Sequence, residues 1–282
     1  MRKLTDSFRL SNEYEIPCLG YGTWDMFNGD STVSAIKNAL HVGYRHIDTA
    51  AFYKNEKSIG KAIRESGIDR SALFVTSKVW TNDRGYENTK RAFAKSLDEL
   101  KLEYLDLYLI HWPASAAKYA DWEKINLDTW KAIIELYKEG NIKAIGVSNF
   151  LVHHLEALMR TEVPPMVNQL EIHPGHMQKD ILGFCGKNEI LVEAWGPLGQ
   201  GKMLSDPKLA AIAAKYQKSV AQLCIRWCLQ NGTLPLPKSS SPTRMEENTL
   251  VFDFSISEGD MEEINAMPYF GGSGQHPDEV DF

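Results

Sequence analysis

The chain has 282 residues, 43% of them hydrophobic, with 31 basic and 37 acidic side chains and a formal net charge of −6. This length and composition can bury one large core, which predicts a single domain over residues 1–282. The acidic balance argues against a general nucleic-acid surface or an anionic-membrane surface, although a local basic pocket can still bind a small phosphate compound. No run of 18 or more apolar residues occurs, and the four cysteines form no CxxC pair. We therefore expect a reduced, cytoplasmic protein with no membrane or nucleic-acid partner.

The first elements predicted in chain order are a hairpin and a helix. Residues 4–19 alternate weakly in polarity around Ser11-Asn12-Glu13, which predicts a β-hairpin ahead of the main fold. Apolar residues between Asp30 and Val42 recur with helical spacing, and Gly43 ends that helix. We interpret Gly20–Trp24 as the segment that leads into the helix.

From Tyr44 onward, short strand-like runs alternate with helical segments, of which 86–100 and 127–139 have the clearest apolar face. Such alternation predicts a parallel sheet. Eight β/α units in this length favour a closed (β/α)8 TIM barrel with the hairpin as an N-terminal cap, and an open doubly wound sheet stays the alternative. The predicted strands are Tyr44–Asp48, Leu73–Lys78, Tyr104–His111, Ile142–Ser148, Met166–Glu171, Ile190–Trp195, Thr233–Pro237 and Leu250–Phe252.

Polar or aromatic side chains stand at the ends of seven predicted strands. In a barrel these strand ends converge on one rim, where active sites of this fold are built. The stretch 43–60 is the most informative, because a strand ending in Asp48 is followed by a loop that carries Tyr53. The strand-end residues are Asp48, Lys78, His111, Ser148, Gln169, Trp195 and Lys238.

Several motifs together resemble those of the aldo-keto reductases, from about Leu4 to the C-terminus. The stretches AWGPLGQG at 194–201 and GGSGQHPDEVDF at the end resemble the prokaryotic branch that includes 2,5-diketogluconate reductases and glyoxal reductases. The resemblance implies a barrel that reduces aldehydes or ketones with NAD(P)H, and a catalytic tetrad of Asp48, Tyr53, Lys78 and His111. The motifs that carry it are Gly43–Asn55, His111-Trp112-Pro113, Gly146–Phe150, and Pro237-Lys238-Ser239 with Arg244 and Glu247-Asn248.

The chemistry of carbonyl reduction agrees with this tetrad, because the developing alkoxide needs an acid. A tyrosine with an ordinary pKa of about 10 is a slow proton donor, so a neighbouring cation such as Lys78 should lower the pKa of Tyr53. Asp48 should keep Lys78 charged in a partly dry pocket. A neutral His111 with a protonated Nε2 would donate a hydrogen bond to the substrate oxygen. Any one of these residues taken alone is more often a cap or an ion pair.

A site for a nucleotide phosphate is predicted near residue 241. The chain has no GxGxxG motif after a first strand, but Ser241 is a good N-cap and Pro242 a good first helical residue. A helix beginning there, with Lys238 and Arg244 beside it, would attract an anion. The alternative is a capped surface helix with unrelated charges. The resemblance implies that Lys238, Ser239 and Arg244 hold the 2′-phosphate of NADPH and that Glu247 and Asn248 meet the adenine.

The resemblance also implies contacts at the nicotinamide end. Ser148, Asn149 and Gln169 would bind the carboxamide, and Trp195 would stack on the nicotinamide in place of a more usual tyrosine. The stretch 196–201, including Gly196 and Leu198, would lie along the pyrophosphate.

Four aromatic residues beside the tetrad motifs predict a substrate pocket: Trp24, Phe52, Trp80 and Trp112. Packing in the core is the alternative interpretation of these rings. The segment 271–282 should cover the mouth of the pocket only partly. We interpret the remaining polar residues of buried pattern, namely His41, His153, His154, His173, Asp106 and Glu193, as structural.

The leading hypothesis is a monomeric NADPH-dependent reductase of small carbonyls, α-dicarbonyls or keto-sugars. A second hypothesis is a nicotinamide-binding regulatory or sensor subunit with little turnover, which the intact tetrad disfavours. A third is a metal-dependent barrel hydrolase using His111 and Asp48, which lacks a clustered second and third ligand. The sequence predicts no metal site.

Overall fold

The computed structural model describes residues 1–282 and begins with a small antiparallel sheet. Its two strands are β1 (Ser7–Arg9) and β2 (Glu15–Pro17), as the hairpin prediction required. From this hairpin, Asn12 Nδ2 donates to the Lys143 carbonyl (2.9 Å) and the Tyr14 hydroxyl donates to Asp106 Oδ1 (2.7 Å). Because Lys143 and Asp106 lie near the first residues of two barrel strands, the hairpin caps the amino-terminal end of the barrel.

The second sheet is an eight-stranded parallel barrel whose strands are neighbours in chain order. The Gly22 N–H donates to the Pro237 carbonyl (3.1 Å), so that the first and last strands lie side by side and the ring is nearly closed. The TIM-barrel prediction is thus confirmed, and the open doubly wound alternative is wrong. The strands are β3 (Gly20–Gly22), β4 (His46–Asp48), β5 (Phe74–Val79), β6 (Leu105–Ile110), β7 (Ile142–Ser148), β8 (Val167–Glu171), β9 (Leu191–Trp195) and β10 (Leu234–Leu236).

Ten α-helices surround or follow the barrel, each with its apolar face turned inward. In the longest of them Trp130 and Ile133 are fully buried. The two cysteines Cys224 and Cys228 lie as free, buried thiols in a helix that packs into the core along most of its length. The helices are α1 (Asp30–His41), α2 (Glu56–Glu65), α3 (Tyr86–Leu100), α4 (Trp122–Lys138), α5 (Val152–Leu158), α6 (Lys179–Lys187), α7 (Pro207–Lys215), α8 (Val220–Gln230), α9 (Pro242–Thr249) and α10 (Glu258–Asn265).

Two strand assignments from the sequence are wrong. Leu250–Phe252 forms no strand, and Leu250 is 55% exposed in the segment that follows α9. The missing strand is β3, which lies in the segment Gly20–Trp24 that the sequence analysis interprets as leading into the first helix. Two of its three residues are glycines, and glycine is rare in strands. The glycines are required by close packing: a Cβ on Gly20 would lie 2.3 Å from a Leu236 methyl, and a Cβ on Gly22 would lie 2.9 Å from the Leu236 carbonyl oxygen.

No helix combines the length and the apolar character that crossing a bilayer requires.

Candidate active site

The four predicted tetrad residues meet at the carboxyl-terminal rim of the barrel. Asp48 is the last residue of β4, Lys78 lies near the end of β5, and His111 directly follows β6. Tyr53 ends a single 3-10 turn, Ala51–Tyr53, on the loop after β4. Parallel strands bring these side chains together because their carboxyl ends share one edge.

Lys78 and Asp48 form a fully buried, bidentate ion pair. The Lys78 Nζ lies 2.7 and 2.8 Å from the two Asp48 carboxylate oxygens, and it donates a third bond to the Thr49 carbonyl at 2.9 Å. Burial acts to lower the pKa of Lys78, but the pKa is held above its usual value, and the negative charge of Asp48 with its hydrogen bonds is the main cause. Lys78 therefore stays charged, as predicted.

The Tyr53 ring lies beside this cation, with the Lys78 Nζ 5.2 Å from its centre. Burial raises the pKa of the Tyr53 phenol above its ordinary value, and the Lys78 charge acts against this rise without cancelling it. The predicted direction of the Lys78 effect is correct, but the predicted net lowering is wrong for the protein alone. Desolvation of the phenol, which cannot be judged from sequence, is the larger influence.

His111 stands edge-on to the other rings of the site, 5.5 Å from the centre of Tyr53 and 5.1 Å from that of Trp80. Burial, together with the Lys78 charge, lowers the pKa of His111 well below its usual value. The ring is therefore neutral near pH 7, as its predicted role as a hydrogen-bond donor requires.

Aromatic rings enclose the space beside the tetrad. Phe52 and Trp80 are stacked with ring centres 3.8 Å apart, and the terminal Phe282 stacks on the far side of Trp80 at 5.2 Å. The edge of Trp112 meets Phe282 at 5.4 Å. Trp24 is 52% exposed and makes no ring contact with the other three, so its place in the pocket stays a prediction.

The segment 271–282 is held across the rim by polar contacts. Ser273 Oγ donates to Glu171 Oε2 (2.7 Å), and Lys118 Nζ donates to the Asp281 carbonyl (2.7 Å). The Nε2 atoms of His153 and His154 lie 3.0 and 3.1 Å from Asp278 Oδ1. These contacts define a path that ends with Phe282 against the aromatic wall.

The cluster of His153, His154 and Asp278 has the composition of a metal site, but its hydrogen bonds favour another interpretation. His154 Nδ1 accepts the Leu151 backbone N–H at 3.2 Å, which places the proton of the neutral ring on Nε2, and the hydrogen bond to Asp278 comes from His153. A metal at Nε2 would have to displace this proton. The two histidines thus bind the C-terminal segment through Asp278, which is consistent with the structural interpretation of both.

Ser148, Asn149 and Gln169 lie together next to the tetrad. Asn149 is in the left-handed backbone conformation (φ 62°), which asparagine tolerates better than most residues. Its Nδ2 donates to the His111 carbonyl (3.0 Å), and its Oδ1 accepts from Trp195 Nε1 (2.9 Å). Ser148 Oγ donates to the Gln169 carbonyl at 2.9 Å. The three residues and the half-buried indole of Trp195 thus form one bonded surface.

The predicted phosphate site also has its expected local structure. Helix α9 begins at Pro242, and the Ser241 side chain accepts a long bond from the Arg244 N–H (3.5 Å). Neither Lys238 nor Arg244 forms an ion pair in the structure, and Arg244 is exposed. Ser239 is buried, and its carbonyl accepts the Tyr21 hydroxyl from β3. Asn248 is buried and Glu247 partly buried on the same helix.

Comparison with known proteins identifies the family of this chain. The model of the aldo/keto reductase family matches residues 18–268. The chain belongs to the aldo/keto reductase family. It is 49% identical to a glyoxal reductase of Bacillus subtilis over 280 residues, which cover 99% of each chain. It is 41% identical to the methylglyoxal reductase DkgA of Escherichia coli over 274 residues, 96% of each chain. A solved aldo-keto reductase complexed with NADPH superposes with a TM-score of 0.87 at 34% identity, covering 94% of this chain and 88% of that one.

Several residues that shape the site of this aldo/keto reductase escaped the sequence analysis. Buried Asn55 donates to the Thr23 and Met26 carbonyls (both 3.0 Å) and so joins the loops after β3 and β4. Arg84 donates to the Trp112 and Pro113 carbonyls (3.2 and 2.6 Å). A buried arginine or asparagine whose partners are backbone carbonyls leaves no pattern in the sequence. Asp106, by contrast, has the partners that its structural interpretation required: Arg70, Val75 N–H and Tyr14.

Proposed function

We propose that this aldo/keto reductase uses NADPH to reduce small aldehydes and ketones, α-dicarbonyls and keto-sugars among them, to alcohols. The observation that carries the proposal is the meeting of Tyr53, Lys78 and His111 at one rim, with Phe52, Trp80 and Trp112 around them. An acid beside a buried cation, a neutral imidazole and an apolar wall are the groups that carbonyl reduction requires. The likeness to proteins named glyoxal reductase and methylglyoxal reductase supports small carbonyls as the substrate class.

The residues at the rim fit NADPH. Lys238 and Arg244 are cations without a carboxylate partner beside the first turn of α9, where exposed backbone N–H groups favour an anion. At the other end, the indole of Trp195 is fixed by its bond to Asn149, so that its face is available to an aromatic ring. We propose Lys238, Ser239 and Arg244 for the 2′-phosphate and Ser148, Asn149 and Gln169 for the carboxamide. Gly196 and Leu198 would line the pyrophosphate, and Glu247 and Asn248 the adenine.

Each tetrad residue has a separate task in this proposal. NADPH, when bound, supplies the hydride. Tyr53 gives its phenolic proton to the carbonyl oxygen as negative charge develops there. Lys78 stabilises the resulting phenolate, and Asp48 keeps Lys78 charged and in place. His111 donates a hydrogen bond to the same oxygen and thereby orients the carbonyl.

We further propose that the chain acts as one domain, as a monomer and in the cytoplasm. Sedimentation equilibrium tests the monomer, and a mass that is a multiple of the 31.9 kDa chain would refute it.

The first experiment measures NADPH consumption across a panel of aldehydes, α-diketones and keto-sugars. Tyr53→Phe should reduce turnover by at least about 10²-fold, the usual contribution of a general acid, while NADPH binding is retained. Tyr104→Phe is the matched control, because the Tyr104 hydroxyl makes no hydrogen bond and its ring lies against Arg70. Tyr104 directly precedes β6 and therefore lies at the end of the barrel opposite to the tetrad. Near-normal turnover in Tyr53→Phe would refute the role of Tyr53.

The same assay separates the alternatives. NADPH binding without turnover on any carbonyl would favour the regulatory subunit. The metal-dependent hydrolase is disfavoured by the geometry, because both Asp48 oxygens are already bonded to Lys78 and leave no free carboxylate beside His111. Retention of activity in the presence of a chelator would be consistent with the reductase.

A further inference from the structure

A layer of buried polar side chains lies inside the barrel directly below the tetrad. Its centre is Glu193 of β9, which is fully buried. Glu193 Oε2 accepts a hydrogen bond from Gln169 Nε2 at 2.7 Å. Its other oxygen, Oε1, has no hydrogen-bond partner and lies 3.7 Å from His46 Nε2. Only half of this buried carboxyl group therefore has a hydrogen-bond partner.

Gln169 joins this acid to the tetrad. Its amide nitrogen donates one hydrogen to Glu193 and the other to Asp48 Oδ2, at 2.9 Å. With both hydrogens committed, the amide cannot turn over without losing two bonds to carboxyl groups, and only its oxygen remains to meet another ligand. Asp48 Oδ2 is in turn shared between Gln169 and Lys78, at 2.8 Å. Glu193 therefore acts on the ion pair through one rigid amide.

The charges in this layer balance only if Glu193 is protonated. The titratable groups that face Glu193 are His46 and Asp48 on β4 and Lys78 on β5. Its other neighbours, Thr76 on β5, Gln169 on β8 and Leu234 on β10, do not titrate. Burial lowers the pKa of His46 to about 3, so that this ring is neutral. The groups that remain are the carboxyl groups of Asp48 and Glu193 and the ammonium group of Lys78. Their net charge is zero only if one of the two carboxyl groups is protonated.

The neutral acid is Glu193 because Asp48 holds Lys78 with both oxygens, whereas Glu193 Oε1 receives no donor. An ionised oxygen without a donor in the interior is strongly disfavoured. In agreement, burial and the charge of Asp48 raise the pKa of Glu193 to about 8.

We propose that Glu193 is a positioning residue for the reduction: in its uncharged form it fixes Gln169 and thereby the Asp48–Lys78 pair, and its ionisation weakens Tyr53 as an acid. The inference rests on the proposed function. An ionised Glu193 adds a second negative charge next to Asp48, and this charge acts directly on Lys78. Phenolate formation on Tyr53 is then less favourable, so that reduction slows as pH rises through the titration of Glu193.

The test compares Glu193→Gln with the parent in the pH dependence of turnover. Glutamine keeps an oxygen that accepts from Gln169 but cannot ionise. Parent turnover should fall at least about threefold from pH 7 to pH 9, the effect of roughly half a unit of phenol acidity, and Glu193→Gln should not show this fall. Glu56→Gln is the matched control, because Glu56 is also a buried acid whose pKa burial raises, but it binds Ser77 outside the barrel and should keep the parent profile.

A second measurement does not depend on whether Glu193→Gln folds. Infrared difference spectra of the parent between pH 7 and pH 9 should show the loss of a protonated carboxylic acid, and this band should persist in Glu56→Gln. Its absence from the parent would overturn the proposal, and so would a Glu193→Gln profile with the parent's fall above pH 8. If NADPH binds and no carbonyl is reduced, the proposed function fails and the positioning role fails with it. If carbonyls are reduced but Glu193→Gln has the same pH dependence of turnover as the parent, only the positioning role fails.

Discussion

Lys78 carries a fully buried positive charge next to Tyr53, the residue that we propose as the acid. A fully buried ammonium is tolerated because three acceptors surround it: both oxygens of Asp48 and the Thr49 carbonyl. Removing either partner leaves the other as an isolated buried charge. The ion pair therefore contributes to the stability of the fold in addition to the catalytic role that we propose for it.

We expect Lys78→Met to destabilise the fold by about 3–5 kcal/mol, the usual penalty for leaving one partner of a buried pair uncompensated. The double variant Lys78→Met/Asp48→Asn should lose less than Lys78→Met alone, because the isolated carboxylate is removed. Urea denaturation measures both. Lys37→Met serves as the control, since its ion pair with Glu65 is exposed and should contribute little. A double variant less stable than Lys78→Met would contradict this explanation.

At the residue scale, prediction from sequence succeeded where a side chain's role follows from its position on a strand end. Asp48, Lys78 and His111 were placed at the rim, and the structure has them there. The net pKa shift of Tyr53 could not be predicted, because it depends on how far the phenol is removed from water. Phe282 was missed because its position depends on contacts between segments far apart in the chain.

Helix α9 shows how a local signal can define an element completely. Ser241 as N-cap and Pro242 as first residue predicted where this helix begins, and it begins there. The free cations Lys238 and Arg244 then stand beside exposed N–H groups of its first turn. The element is thus prepared for an anion before any ligand binds.

Arg244→Ala should weaken NADPH binding by about 1.5–3 kcal/mol, the range for a charge-assisted hydrogen bond, and leave NADH binding nearly unchanged. The preference for NADPH would fall roughly ten- to a hundredfold. Quenching of tryptophan fluorescence measures both affinities, because Trp195 lies at the position that we propose for the nicotinamide. Arg91→Ala on α3 is the control. An equal loss for both nucleotides would show that Arg244 supports the loop and does not contact the phosphate.

The first strand of the barrel, β3, is the element that sequence patterns describe worst. A three-residue strand is too short for its alternation to be recognised, and two glycines in β3 lower its strand propensity further. The apolar run Leu250–Phe252 offered a false eighth strand, although it contributes only Val251 to the core. Hydrogen bonding around a closed ring, which is non-local, decides both assignments.

At the scale of the whole molecule, the C-terminal segment connects distant parts of the chain to the pocket. Its contacts reach the ends of β8 and helix α5 before Phe282 arrives between Trp80 and Trp112. The expected partial cover of the mouth therefore has a specific form, a terminal ring added to the aromatic wall.

Phe282→Ala should raise KM for small carbonyls about two- to tenfold with a smaller effect on kcat, because one aromatic contact of about 0.5–1.5 kcal/mol is removed from the pocket. Steady-state kinetics on the substrate panel test this. Phe27→Ala, at a ring that is 74% exposed, is the control. An unchanged KM would mean that the ring of Phe282 packs against the wall without meeting substrate.

The junction between β3 and β10 lies between Trp24 of the proposed substrate pocket and the residues that we propose for the 2′-phosphate. On one side of this junction, β3 is followed by Thr23 and Trp24, at the proposed substrate pocket. On the other side, the chain after β10 continues to Lys238 and Ser239, at the proposed phosphate site. The tetrad lies on β4, β5 and β6 and on the loops that follow them, and none of these strands forms the junction. The groups that we propose for proton transfer are therefore carried by strands with hydrogen-bonded neighbours on both sides, whereas Lys238 and Ser239 follow a strand at the junction itself.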